Sequence, residues 1–347
     1  MDSAYNSQWL FPIETLSNTP STCRLERELY DRARGIEFLY RVGMQLNLPT
    51  SAIFTAATWF HRFYMRFSME DFHRQDVAAS CIFLATKTEE CGRKLRDVAK
   101  VYQAKTGSDP ADNKEVDHCQ ATILMTEEVL LEALCFDFVV ESPHANLIDL
   151  FNSLDASKDL QEHSWSLAHD SYRTPLCLLF PPKIIAIACY VLAQRVLDGP
   201  NSPSLDARIS ATSPSYSLPT PPSHQPPSPD ASRAAVDHYN LSSAEVSHVA
   251  DAMAILLEFY SSQDHRSASY LSAISSVQPP QHNVRPRLYL SLEELERESA
   301  QVPASQSQSQ SQEGLGRTPV SSHGGFSPLI QSEEISKPPL SQPEEDV

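Results

Sequence analysis

VAASCIFLATK at residues 77–87 and IAIACYVLAQR at residues 185–195 are two versions of one stretch. Overlaid, they coincide at Ala78/Ala186, Cys81/Cys189, Leu84/Leu192 and Ala85/Ala193, and each closes on a base, Lys87 and Arg195. The offset is 108 residues, the size of a small helical domain. Both copies are small and apolar on nearly every side, which is the pattern of a helix in the middle of a bundle with its neighbours' backbones close in. The expectation is an all-α chain of two related bundles, each built round one buried helix. Tandem bundles of this size are binding scaffolds more often than enzymes.

Working outward from the first copy, residues 8–20 read as an irregular arm anchored by Trp9, Leu10, Phe11 and Leu16. A first helix runs from about Arg24 to Leu46, with Leu29, Ala33, Ile36, Leu39, Val42 and Leu46 at steps of three and four. Pro49 ends it, and Thr50 or Ser51 caps a second helix. The buried third helix ends near Lys87. A short fourth spans Arg93 to about Tyr102, a polar loop follows at 105–115, and a fifth helix runs from about Val116 to Leu134. Five helices thus make the first bundle.

Pro143 opens the second bundle, where HANLIDLFNSL, LQEHSWSLAHDSYRTPLCLLF and PPKIIAIACYVLAQRV repeat the early helices. Pro181 and Pro182 suit a helix start, where a missing N–H does no harm. Residues 199–232 are then so rich in Pro and Ser that they bury too little apolar surface to offset chain entropy, and they are expected to be disordered. Helical pattern returns at 242–261. From about 267 the chain reads as a low-complexity tail containing SQSQSQSQ, with LYLSLEELERE (288–298) as its one candidate helix. The expected domains are an arm at 1–22, a first bundle at 23–142, a second at 143–266 interrupted by the insert, and a disordered tail at 267–347.

Composition excludes several functions. Lys+Arg number 27 against 44 Asp+Glu, a net charge of -17. Residues 1–142 carry 15 bases and 21 acids, and residues 143–347 carry 12 and 23. Neither half has the basic excess that phosphate-backbone binding needs. No apolar run reaches ~18 residues, so no membrane span is expected, and the N-terminus lacks the pattern of a secretory signal. Cys23, Cys81, Cys91, Cys119, Cys135, Cys177 and Cys189 are odd in number and form no C-x-x-C. They read as free thiols, several of them buried, in the reducing cytosol or nucleus. The twelve histidines show no metal-ligand spacing, so neither metal nor cofactor is expected. His61, between aromatics, reads as a packed, hydrogen-bonded residue. His163, His169 and Asp170 lack an accompanying nucleophile elbow. No G-x-G-x-x-G or Walker loop occurs.

Three further stretches occur in order: FHRFYMRFS at 60–68, FLATKTEECGRKLRDV at 83–98 and EEVLLEALCFDF at 127–138. Inside a duplicated helical bundle they resemble the cyclin box, and the resemblance covers roughly residues 8–262 as tandem five-helix repeats. The opening Trp9-x-Phe11 with Leu16, Thr19, Pro20 and Ser21, and VVESPH at 139–144, resemble the transcriptional cyclins, nearest to cyclins K and T and their fungal relatives. The resemblance implies a non-catalytic subunit. Its first box would hold the regulatory C-helix of a cyclin-dependent kinase inward, so that the kinase's Lys–Glu pair can close on ATP. The family's kinase-binding lysine falls on Lys87 and its glutamate on Glu127, with Glu128 as the rival if the register slips by one. Leu131 and Phe136 match the family's apolar contacts. The first helix reads YDRARGIEFLYRV instead of the Met-Arg-Ala-Ile-Leu of cell-cycle cyclins, which leaves substrate docking there without support.

Elementary electrostatics fits the same role. A buried helix ending in Lys87 brings its C-terminal partial negative charge and a lysine to one spot, and Glu127 on a neighbouring helix supplies the opposite charge. Framed by apolar residues, such a pair can satisfy a partner's main-chain groups. The two residues can equally pair with each other. Glu89 and Glu90 read as a solvated edge, and Arg93, Lys94 and Arg96 as an exposed basic cluster. The expected function is activation of a kinase that phosphorylates the tail of RNA polymerase II in transcription elongation, in the nucleus and secondarily the cytoplasm, with a third subunit as a further candidate partner. The alternatives are a Mediator-type cyclin C and a transcription factor IIB-like DNA-binding scaffold. Ser202, Ser213, Thr220, Ser228, Thr318 and Ser327 each precede proline and are candidate phosphosites for proline-directed kinases.

Overall fold

The computed structural model describes residues 8–106, 113–210, 230–263, 270–278, 286–291, 293–294 and 297. Among these the chain is helical, without a strand. The first bundle contains α1 (Leu25–Gln45), α2 (Thr50–Phe63), α3 (Arg74–Thr88), α4 (Leu95–Thr106) and α5 (Asn113–Ala133). The second contains α6 (Pro143–Leu154), α7 (Lys158–Ser171), the single turn α8 (Leu176–Leu179), α9 (Pro182–Asp198), α10 (Leu205–Ser210), α11 (Ala231–His238) and α12 (Ser243–Ser261), followed by α13 (Tyr270–Ser275).

The twin stretches are the hubs. α3 touches α1, α2, α4 and α5, while α9 touches α6, α7, α11 and α12. Every residue from Val77 to Thr86 is buried, as is every residue from Ile184 to Ala193. Small side chains let the neighbours approach. The same economy acts at Gly43 of α1, where a Cβ would lie 2.7 Å from Ile53 Cγ1 of α2.

Several boundaries differ from the sequence reading, each for a local reason. Pro49 occupies the cap position of α2 without any side-chain bond, and Thr50 is already helical. Proline's fixed φ makes a hydroxyl cap unnecessary there. Arg93 stays outside α4 because its guanidinium donates to the carbonyls of Leu46, Asn47 and Cys91, closing the end of α1. α4 continues through Thr106, into the stretch expected to be loop. The run at 160–180 is two elements, interrupted before Pro175. Pro182 does begin α9.

The expected insert is smaller than 199–232. Residues 205–210 form α10, with Leu205 and Arg208 buried. Arg208 forms ion pairs with Asp198 and Asp230, and its Nη2 donates to Ser202 Oγ at 2.8 Å. Asp230 also caps α11, accepting the N–H groups of Ser232 and Arg233. α11 is the fourth long helix of the second bundle and was hidden behind the proline run. Residues 211–229, which hold Ser213, Thr220 and Ser228, lie outside the described residues. α12 begins with a full capping box between Ser242 and Glu245. The tail call also needs correction at its start: α13 is helical, Val277, Leu288 and Tyr289 are buried, and 288–291 is irregular where a helix was expected. Thr318 and Ser327 lie outside the described residues.

α1 serves both cores. Leu29 and Ala33 join the core of the second bundle together with Leu16 of the arm, and Ile36, Phe38, Leu39 and Val42 join that of the first. The junction is polar as well. Arg32 and Glu28, each 1% exposed, form an i,i+4 ion pair, and Arg32 also donates to the carbonyls of His61 and Tyr64. His61 is fully buried with Nε2 2.8 Å from Tyr172 O, as the packed reading anticipated. Phe54 stacks on both His144 and Tyr172.

Candidate functional site

The end of α3 meets the middle of α5 at the rim of the first bundle. Lys87 Nζ lies 2.5 Å from Glu127 Oε1; the lysine side chain is 47% exposed and the glutamate 8%. Lys87 also sits over the Phe83 ring, 4.3 Å from its centroid. Glu127 Oε1 has no hydrogen-bond partner beside this ion pair, so acceptor capacity remains. Glu128 is exposed and is not the residue paired with Lys87. Lys87 and Glu127 are thus neighbours whose charges are drawn together across two helices, with the lysine reaching solvent.

Leu131 follows one turn along α5 and is half-buried, and Phe136 lies beyond the helix end with 65% exposure. Leu124, one turn before Glu127, is 47% exposed. It extends the apolar frame and escaped the sequence reading, although its i−3 spacing from Glu127 signals it. The turn that carries Phe136 is strained: Cys135 and Phe136 have φ of 51° and 56°. Bulky residues rarely enter the left-handed region, and such strain clusters at functional sites. The Phe136 N–H donates to Leu131 O at 3.1 Å, which closes α5. After α3, Glu90 is left-handed too, with φ 52°.

The N-terminal arm holds this turn in place. Trp9 is 4% exposed and its Nε1 donates to Asp137 Oδ2 at 2.8 Å. Desolvation pushes the Asp137 carboxyl up, but hydrogen bonds from Trp9, the Val139 N–H and Gln8 outweigh it and hold the carboxyl below its ordinary range. Arg62 lies over the Trp9 ring at 4.8 Å and donates to Val139 O. Of the supposed solvated edge, Glu89 accepts a hydrogen bond from Thr55 Oγ1 at 2.8 Å. In the basic cluster, Arg93 is committed to main-chain carbonyls and Arg96 to Asn113.

No other constellation offers chemistry. His163 binds the Asp159 carbonyl of its own helix, and Asp170 accepts from the Tyr260 hydroxyl at 2.8 Å. No group of three or more metal-ligating side chains exists among the described residues. The Lys87/Glu127 rim offers a donor and an acceptor at the edge of an apolar frame, which suits recognition of main chain on another protein.

Comparison with known proteins agrees with this geometry. Residues 14–139 match the cyclin N-terminal domain. The chain is 43% identical over 201 residues to cyclin pch1 of Schizosaccharomyces pombe, covering 55% of this chain and 58% of that protein. It is 34% identical over 198 residues to cyclin-T2 of Homo sapiens, covering 54% and 27%, and 33% identical over 202 residues to cyclin-K of Danio rerio, covering 54% and 45%. The chain therefore spans less than two thirds of each of these relatives. Among solved structures, its fold resembles a chain of the yeast RNA Pol II CTD kinase CTDK-1 complex with a TM-score of 0.56 at 17% identity, covering 83% of this chain and 96% of that one. At that identity the likeness concerns the fold.

Proposed function

This chain belongs to the cyclin family, and we propose that it is the regulatory, non-catalytic subunit of a cyclin-dependent kinase acting in RNA polymerase II transcription. The Lys87–Glu127 rim is the observation that carries the reading. It is a charged pair at the mouth of two helices, bordered by exposed Leu124 and Phe136 and set beside a strained turn. In this role Lys87 and Glu127 would exchange part of their mutual pairing for carbonyl and N–H groups of the kinase's regulatory helix. Leu131 and Phe136 would keep water from those bonds. The regulated kinase would phosphorylate the Ser/Pro-rich polymerase tail, which places the complex in the nucleus. The resemblance to cyclins K and T and to pch1 supports the transcriptional branch, and a third subunit is compatible with the free surface of the second bundle.

The test is purification of the tagged chain from native extract, with identification of its partners and assay on a polymerase-tail substrate. The reading requires one cyclin-dependent kinase in stoichiometric amount, with tail-kinase activity in the eluate and none from the chain alone. Recovery without a kinase, or a salt-dependent shift of DNA by the purified chain, would overturn it.

A further inference from the structure

The second bundle repeats the chemistry of the Lys87/Glu127 rim, but there the chain itself supplies the ligand. Arg195 stands near the end of α9 as Lys87 does in α3. The Lys87 side chain is 47% exposed, whereas Arg195 is 2% exposed because the chain beyond α12 folds over it. Arg195 Nη2 donates to the Gln278 carbonyl at 2.7 Å. On α12, the last long helix of its bundle as α5 is of the first, Glu258 Oε2 accepts the Leu288 N–H at 2.8 Å. A base from the hub helix and an acid from the last helix thus each hold main chain of one following segment.

Side chains seat the same segment. Val277, Leu288 and Tyr289 are 3%, 5% and 4% exposed, and Tyr289 meets Phe259 edge-on with ring centroids 5.4 Å apart. Main-chain bonds combined with pockets for alternating side chains are how proteins recognise extended peptides. The fit is incomplete, however. Arg195 Nε and Nη1 and Tyr289 Oη are buried without a hydrogen-bond partner among the described residues. A cavity of about 290 Å³, bordered by Leu257, Glu258, Val277 and Tyr289, remains between α12 and the segment. Integral core segments leave few such groups unsatisfied. A tethered segment can tolerate them: α12 ends at Ser261 and α13 begins at Tyr270, and so short a link holds its ligand at an effective concentration of about mM.

We propose that the face of α9 and α12 around Arg195 and Glu258 is a peptide-docking site, and that residues 277–289 occupy it in cis as a displaceable strap. The ligand it selects is an extended segment presenting one carbonyl, one N–H and an adjacent pair of large apolar side chains, as Leu288-Tyr289 does. The strap keeps this second dock closed while the first remains open. The inference uses only contacts within the chain and does not depend on the kinase reading.

The experiment uses the full chain with a specific protease site inserted between residues 265 and 266. After cleavage the C-terminal piece should co-elute with the rest of the protein, and an excess of synthetic peptide covering residues 270–291 should replace it without loss of helical circular dichroism. The same peptide N-methylated at Leu288 lacks the N–H that Glu258 accepts and should compete about tenfold less well. An Arg195→Ala chain, if it folds, should release the piece more readily. Because the N-methylated peptide leaves the bundle unaltered, the proposal remains testable if that variant does not fold. Collapse of the helical signal when the piece is exchanged would make the segment core rather than ligand. Immediate separation after cleavage, or equal competition by the two peptides, would also overturn the proposal.

Discussion

Arg32 shows how much one residue carries. It is a fully charged side chain at 1% exposure whose donors reach Glu28 on its own helix and the carbonyls of His61 and Tyr64 at the end of α2. Removing one partner from such a pair strands the other, at a cost of about 3–5 kcal/mol. Arg32→Met is therefore expected to lower stability by that order in denaturant unfolding, and the double change Arg32→Met, Glu28→Leu by clearly less. Equal losses would show that the charge of Glu28 is not the issue. Histidines at the same junction make stability depend on pH. Burial, with Arg32 nearby, lowers His61 to about 3. Burial, with His169 nearby, lowers His144 to about 4, and burial lowers His169 as well. The unfolded chain takes up these protons near pH 6.5 while the folded chain does not, so their contribution is complete above that pH and is lost as pH falls toward 4. Melting temperature should accordingly drop between pH 7.5 and 5. His144→Phe, which keeps the ring against Phe54 and Trp165, should reduce that drop. An unaltered pH profile in this variant would remove His144 from the account.

α3 and α9 carry the fold at the scale of elements. Ala78 and Ala186 are both fully buried on hub helices, so Ala78→Leu or Ala186→Leu forces neighbours apart, at a typical cost of ~1–3 kcal/mol. Thermal melting of each variant should show the loss, and a wild-type melting temperature in either would mean that the helix is not central. These two helices were readable from sequence because their signal is internal to them: small apolar residues on all sides, written twice. The capped start of α12 and the proline start of α9 were readable for the same reason. α11 was not, since its eight residues carry a short pattern just after a proline run, and only Asp230 marks its start. α10 and the strap escaped because their burial depends on partners far along the chain: Arg208 on Asp198 and Asp230, and Tyr289 on Phe259. In the candidate site, Lys87 and Glu127 could be named from motif and spacing. The left-handed turn at Cys135 and Phe136 could not, because no glycine announces it.

For the whole molecule, the described structure redraws which part of the chain is dispensable. Excising 200–231 would delete α10 and the Asp230 cap of α11. Residues 211–229 hold seven prolines in a stretch with few large apolar residues, so replacing them with a short Gly/Ser linker should leave melting and partner binding unchanged, as read by calorimetry and pull-down. Loss of either would give that stretch a structural role. The central claim is that this tandem bundle grips a kinase through the Lys87/Glu127 rim. Its most direct test is titration of the co-purified kinase with the Lys87→Ala, Glu127→Ala double variant. Removing charged partners from a desolvated contact costs about 1–3 kcal/mol or more. The account predicts binding weakened by about tenfold or more and a matching loss of kinase activation, with melting unchanged. Wild-type affinity and activation in the double variant would contradict it.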